Sequence, residues 1–424
     1  TARLSYGLQY KSGPTDVALS LSRVRSEGFS AADESDGNTE ADGFAANRIS
    51  ASFGHELENG ARLEFSGFYE TSDGEYDEGF PLQDGTPNET IATGQRGLRA
   101  AAIFQTGAVE NKIAVTTFDI DRVFADDFGG SSFSGGRTGL SYQGAVDLSD
   151  NARLVFGAET TRESYADSFG SSIDRDLDGL FGEVTFAPAD SLDLTATLRH
   201  DRNSDFGGFK TGRLSLAYRP ADKWTIRAVA ATGFRAPSPY EQLGPFGAPT
   251  LMPEESRSLE FGAEYSDGGL SVQGTMFWLE AENLIDFNLA TSTYAQVPGI
   301  SQRQGIEIEA EAELSPKLSG TFAYTYTDSR TSATSWTVAP RHLATLGLEG
   351  DLTDKLTGSL TLQHGADRAA LPDYTVVNAM VTYDLGRGTE AYLRAENLFD
   401  EDYQLVNGYG TAGQSFYVGL RKSF

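Results

Sequence analysis

The sequence predicts an all-β chain, a transmembrane antiparallel β-barrel with about 21 visible strands. Three observations predict it. Apolar and polar residues alternate strictly over many segments; short and long connections are sorted; and no run of 18 or more apolar residues offers a transmembrane helix.

The alternation is explicit. "GRLSLAYR" places Leu214, Leu216 and Tyr218 on one face and Arg213, Ser215 and Ala217 on the other. "LDLTATLRH" sets Leu192, Leu194, Ala196 and Leu198 against Asp193, Thr195, Thr197 and Arg199. In the final "SFYVGLRKSF", Phe416, Val418, Leu420 and Phe424 are expected to face lipid, with Tyr417 and Arg421 facing the lumen. A period of two gives a strand with one apolar and one polar face, whereas a helix would repeat near 3.6.

Short polar turns join the strands in pairs: "KSGPTD", "ENG", "LSDN", "PADS", "PADK", "SDGG", "SPK", "LTDK" and "LGRG". Between the pairs lie longer, more acidic connections at 25–46, 71–96, 119–135, 162–176, 201–209, 232–255, 280–302, 328–340, 365–373 and 398–414. Strands of about ten residues, with short turns on one side and long loops on the other, describe a barrel of the outer-membrane type. A soluble sandwich or propeller has no reason to sort its loops in this way.

Composition agrees. The 424 residues include 47 Gly, 18 Tyr, 26 Phe and no Cys, and carry a formal charge of −28. Without Cys there are no disulfides, thiolate metal sites or Cys nucleophiles. No composition break divides the chain, so 1–424 reads as one barrel domain. "TARLSYGLQY" lacks the charged and apolar regions of a signal peptide. The chain opens on the long-loop side and ends on the short-turn side, and single-chain barrels favour even strand numbers. The expectation is therefore one more N-terminal strand outside this sequence, making about 22, the size of a plugged transporter.

The most unusual segment is "TGFRAPSPYEQLGPFGAPTLMPEES", a long connection at 232–256 between two alternating runs. Pro237, Pro239, Pro245, Pro249 and Pro253 restrict φ and lower the entropy of the free loop, so it reads as an ordered loop. The segment "GFRAPSPYEQLGPFGAPTLMPEESRSLEFGAEY" resembles the mid-barrel signature of TonB-dependent outer-membrane receptors. "AENLFDEDYQLVNGYGTAGQSFYVGLRKSF" is similar to their C-terminal end, with Asn397, Leu398, Phe399, Asp400 and the terminal Phe424.

That resemblance implies a plug domain and a TonB box, neither of which is in this sequence, and a TonB-type energy-transducing partner. It also implies a small-molecule nutrient as cargo, an outer-membrane location among lipid and lipopolysaccharide, and no nucleic acid. Arg235, Pro237, Tyr240, Phe246 and Pro249 become substrate-loop candidates; the alternative is that the loop only braces the rim of the barrel.

Within the family, "GYGTAGQSFYVG", the Pro-rich loop and an acidic early loop, "GFSAADESDGNTEADGF", look most like the cobalamin (vitamin B12) receptors. Those receptors bind calcium ions in early extracellular loops, and the matching positions here are Asn38, Glu40 and Asp42, then Tyr69 and Glu70, with Asp33, Asp36 and Asp77 as further candidates. Calcium takes six to eight oxygen ligands, which such a loop supplies. The match departs from the family pattern at Glu40 and Glu70, where Asp is expected, and in the spacing near Asp33. The alternative is a solvated acidic loop.

Other readings fare worse. "DRDLDG" at 174–179 opens like an EF-hand loop, but its twelfth position is Thr185 rather than Glu, so it reads as the start of a strand. The four His, at 55, 200, 342 and 364, are scattered, and no G-x-S-x-G elbow is present, so an enzyme is not expected. A ferric-siderophore receptor is the alternative within the family, although long acidic loops repel anionic cargo. A haem receptor would be expected to carry a His in 235–253, and none is there. A passive porin would need no signature loop.

Overall fold

Backbone amides that cross lipid find no water to bond, so each must be paired within the sheet. The chain does this with consecutive hairpins. In the computed structural model the described residues are 1–77, 89–127, 129–333 and 339–424, and the Asp36 side chain lies outside them.

The first strands are β1 (Ala2–Ser12), β2 (Thr15–Ser26), β3 (Phe44–Glu56), β4 (Arg62–Glu75) and β5 (Thr90–Thr106). Then come β6 (Val109–Ala125), β7 (Ser131–Ser149), β8 (Ala152–Asp167), β9 (Ser172–Ala189) and β10 (Leu192–Asn203). β11 (Gly207–Ala221), β12 (Trp224–Arg235), β13 (Glu254–Asp267) and β14 (Leu270–Glu282) follow, with a small hairpin of β15 (Ile285–Asn288) and β16 (Thr293–Gln296). The chain finishes with β17 (Ile300–Ser315), β18 (Leu318–Arg330), β19 (His342–Thr353), β20 (Leu356–Ala366), β21 (Tyr374–Gly386), β22 (Thr389–Glu396) and β23 (Ser415–Lys422). All but β15 and β16 belong to one 21-stranded sheet.

The chain divides into two compact units. The first holds residues 1–214, 231–255 and 285–296. In it, β1 to β9 each pair antiparallel with the next strand in sequence. The second holds 215–230, 256–284 and 297–424. There β14 pairs with β17, and β17 to β23 pair in turn.

The nine short turns fall where the sequence places them. A tenth, Gly107–Ala108 between β5 and β6, was not foreseen; Gly107 sits at φ 60, a left-handed conformation open to glycine at little cost. Strand length needs correcting. β5 to β9 run to 17, 17, 19, 16 and 18 residues, well beyond the ten expected. The connections expected at 119–135, 162–176 and 201–209 shrink to 126–130, 168–171 and 204–206. Ladder hydrogen bonds do not require apolar side chains, and charged pairs opposite one another support these polar extensions. Arg96 Nε lies 3.0 Å from Asp119, and Arg162 Nε 2.9 Å from Asp176. "DRDLDG" lies wholly inside β9, a strand as expected.

Exposure inverts the rule for soluble strands. In β23 Val418 is 82% and Leu420 74% exposed, and Phe416 is also exposed, while Ser415, Tyr417 and Gly419 between them are partly covered. Leu198 on β10 and Leu214 on β11 are likewise exposed. Arg421 pairs with Glu390 at 3.4 Å, and Arg394 lies 4.5 Å from the centre of the Tyr417 ring, so Tyr417 and Arg421 work on the other face. Rows of bare Leu, Val and Phe are stable only against a non-aqueous medium.

Leu420→Arg should therefore cost about 2–4 kcal/mol if the residue sits near the bilayer midplane. Urea titration of folding into lipid vesicles measures it, and an unchanged midpoint would mean that Leu420 does not face lipid.

Candidate ligand loop and cation cluster

The segment between β12 and β13 folds around a single helical turn, α1 (Pro239–Leu243). Ser238 caps it in a reciprocal box: its hydroxyl accepts from Glu241 N at 3.2 Å, and Glu241 Oε2 accepts from Ser238 N at 2.6 Å. Pro239 occupies the first turn, where its missing N–H costs nothing. Arg235, the last residue of β12, clamps both ends of the loop. Its guanidinium reaches Glu254 at 2.9 and 2.7 Å and Glu241 at 3.0 Å. Glu254 in turn accepts from Ile285 N at 2.8 Å, which ties the β15–β16 hairpin to the loop.

Beneath the loop lies a residue that the sequence reading passed over. Arg175, inside "DRDLDG", has a side chain only 3% exposed. It donates to the Pro237 carbonyl at 2.8 Å, to Gln242 Oε1 at 2.6 Å and to Asp205 at 3.0 Å, and lies 5.2 Å from the centre of the Phe206 ring. The signal was present as the one cation in an acidic repeat, but nothing local said that it pointed at residues more than 60 positions away.

Aromatic rings surround the helix. Tyr240 meets Phe133 edge-on at 5.4 Å and Tyr294 at 6.1 Å, Tyr294 meets Phe287 at 5.3 Å, and Phe287 meets Phe246 at 5.9 Å. Burial raises the Tyr240 and Tyr294 hydroxyls above the usual tyrosine range, so both stay neutral at physiological pH. The substrate-loop candidates thus divide by role. Arg235 is committed to two carboxylates, Pro237 is fully buried, and Tyr240 is part of the packing. Phe246 and Pro249 are the two apolar candidates that present exposed surface.

The early acidic loop makes a second feature. Asp33 caps a short 3₁₀ turn at Glu34–Asp36, accepting from Ser35 N at 2.7 Å, and Asn38 donates to the Asp33 carbonyl at 3.0 Å. Asp42 Oδ2 accepts from Ala31 N and Asp77 Oδ2 from Ala32 N, each at 2.6 Å. These backbone bonds place Asp42 and Asp77 side by side, and Glu40 lies with them, one carboxylate oxygen from each being within 4.8 Å of the others. Asp42 Oδ1 is buried and without a hydrogen-bond partner. Burial raises the Asp42 carboxyl, the Ala31 N–H partly offsets this, and the charges of Asp77 and Glu75 raise it further. Three carboxylates this close, one with an unused buried oxygen, could hold a hard divalent cation such as calcium.

Not all of the expected ligands arrive. Glu70 lies on β4, five residues before Glu75, or roughly 16 Å down the strand. It pairs with Arg48 at 3.0 Å and accepts from Gln95 at 2.8 Å. Tyr69 points to the opposite face and is exposed beside Ile49. Asp33 caps the 3₁₀ turn and Asn38 braces it through the Asp33 carbonyl, and the side chain of Asp36 lies outside the described residues.

Arg175→Met should loosen the loop by about 3 kcal/mol, because it removes a buried guanidinium and leaves Asp205 without its partner. Limited proteolysis should then cut within 236–253 while the strands stay intact; unchanged protease resistance would assign the loop's order to the proline-rich turn alone.

Residues 1–398 match the family model described as TonB dependent receptor-like, beta-barrel. The vitamin B12 transporter BtuB of Photobacterium profundum is 24% identical over 425 residues, covering 96% of this chain and 69% of that protein. The protein of the same name from Vibrio cholerae is 26% identical over 298 residues, covering 63% of this chain and 46% of its own length. The chain thus spans about half the length of that relative. Among solved structures, the FrpB iron transporter of Neisseria meningitidis superposes with a TM-score of 0.82 at 14% identity, covering 99% of this chain and 79% of that one. The siderophore receptor PirA of Acinetobacter baumannii gives 0.83 at 14% identity, with 100% and 77% covered. Likeness at this level of identity is likeness of fold.

Proposed function

We propose, for a chain that belongs to the TonB-dependent receptor-like β-barrel family of the bacterial outer membrane, that it forms the barrel of an active importer whose cargo is cobalamin. The observation that carries this reading is the similarity to a vitamin B12 transporter along 96% of the chain. The acidic balance of the chain, −28 overall, supports it, because a bulky ligand near neutrality tolerates a field that slows anions. The ordered loop over 236–253 offers Phe246 and Pro249 as a preformed apolar contact, so little ordering is left for the moment of binding. A TonB-type protein supplies the energy for import.

Calcium has a defined place in this scheme. Glu40, Asp42 and Asp77 would hold it, and its charge would relieve their mutual repulsion and order the early loop before cargo arrives. Protons compete for the same oxygens, so cation affinity should fall as the pH drops toward the raised Asp42 value.

The test is a cobalamin titration of the complete encoded receptor, first in calcium and then in chelator. Calcium should tighten cobalamin binding, and by linkage cobalamin should tighten calcium binding by the same factor. Replacing Glu40 and Asp42 together by Ala should weaken binding in calcium and change it little in chelator. Equal affinity in both conditions would remove calcium from the scheme. No cobalamin binding in either would reassign the cargo, with a ferric siderophore next to be tried.

A further inference from the structure

The early acidic loop and the loop over 236–253 spring from different hairpins, and one run of aromatic rings joins them. Glu75 and Asp77 grip the early loop: Glu75 Oε2 accepts from Gly43 N at 2.7 Å, and Asp77 Oδ2 from Ala32 N at 2.6 Å. Tyr76 between them continues the β4–β5 ladder, its N–H bonding the Glu89 carbonyl at 3.1 Å. Successive residues of an extended chain project to opposite sides, so Tyr76 turns away from the early loop. Its ring meets Phe124 at 5.8 Å, and Phe124 meets Phe133 at 5.9 Å. From Phe133 the contacts around α1 carry on through Tyr240, Tyr294 and Phe287 to Phe246.

Every step of the run is edge-to-face, with interplanar angles between 70° and 89°. Such a contact sets the positive rim of one ring against the negative face of the next, so it depends on orientation as plain apolar contact does not. Turning one ring disturbs the contacts on both its sides. The branch from Phe133 to Phe169 is of another kind: the rings are tilted by 48° at 6.3 Å, and Phe169 is exposed. Two polar ties also hold the 236–253 loop, from Arg175 to the Pro237 carbonyl and from Ser171 Oγ to the Leu243 carbonyl at 3.1 Å. They come from β9 and the turn before it, so among the described residues the rings are what lead from this loop to the early one.

We propose that the early loop and the 236–253 loop order as one unit, with Phe133 as the positioning residue through which each biases the other. Whatever fixes Tyr76 against Phe124 then presets α1 and Phe246. Coupling of this kind is carried by packed side chains and is reciprocal: ordering the early loop leaves less to order when a ligand reaches Phe246, and that ligand tightens the early loop in return. The consequence for cargo rests on the reading of 236–253 as a ligand loop; the coupling itself does not, and it is measured with neither cargo nor metal present.

Hydrogen exchange of the complete encoded receptor in detergent reads the coupling at the amides of 240–253. Tyr76→Ala cuts the run at its far end, with two rings still standing between the change and α1. It should speed exchange over 240–253 by about fivefold or more, while the amides of β5 to β9 keep the protection of a folded barrel. Phe124→Leu makes the same cut one ring further in and serves where Tyr76→Ala disturbs folding. In Phe133→Leu, which keeps apolar bulk and loses the ring, the 240–253 amides should already exchange fast. Adding Tyr76→Ala there should change them by less than about twofold, the non-additivity expected of a shared path. Phe169→Leu, on the side branch, should leave the effect of Tyr76→Ala intact. A receptor that binds no cobalamin would still give these rates, so the cargo assignment and the coupling fail separately. Exchange over 240–253 that neither Tyr76→Ala nor Phe124→Leu alters overturns the proposal, as do effects of Tyr76→Ala and Phe133→Leu that simply multiply.

Discussion

The need to pair every backbone amide inside a medium without water governs this chain more than any side-chain contact. Once each strand must bond to a neighbour on both edges, the side chains have only two directions left, and the alternation of apolar and polar residues follows. The exposed Leu and Val of β23 are then a consequence of solvent choice, not a fault of packing. Sequences of hairpins also leave the connections free to specialise, since no connection has to complete a core.

Two treatments of negative charge coexist in the connections. Around α1 the carboxylates of Glu241, Glu254 and Asp205 are each met by a guanidinium, from Arg235 or Arg175, and the outcome is a fixed backbone. Around the early loop, backbone N–H groups hold Asp42 and Asp77 side by side, close to Glu40. The first arrangement is complete within the protein. The second gathers carboxylates with carboxylates, so the two loops handle the same charge by different means.

The sequence was most legible where local rules suffice. Period-two segments such as 192–200 and 415–424 became strands, and turns marked by Gly, Pro, Asp and Lys fell where expected. The Gly107–Ala108 turn escaped because it is flanked by ordinary strand residues and has no polar cluster around it. Strand ends escaped because polarity does not stop a ladder: "DRDLDG" is charged and still paired. Among the candidate ligands, Asp42 and Asp77 converge through backbone bonds, whereas Glu70 was carried over from the family resemblance. One residue of parity sends Tyr69 to the other face, and five residues of strand take Glu70 away from the cluster. Arg175 could be seen but not assigned, because its partners are distant in sequence.

The length of β5 to β9 has a further consequence for how the cell surface is perceived. About ten residues span a bilayer, so much of each of these strands stands outside it as paired sheet rather than loose loop. An antibody or a phage tail fibre approaching that side meets a stiff, row-ordered surface in which neighbouring side chains come from different hairpins. Peptides copied from one connection would reproduce little of it, and a single exchange within a row, such as at Asp119 or Ser164, would alter an epitope assembled from several segments at once.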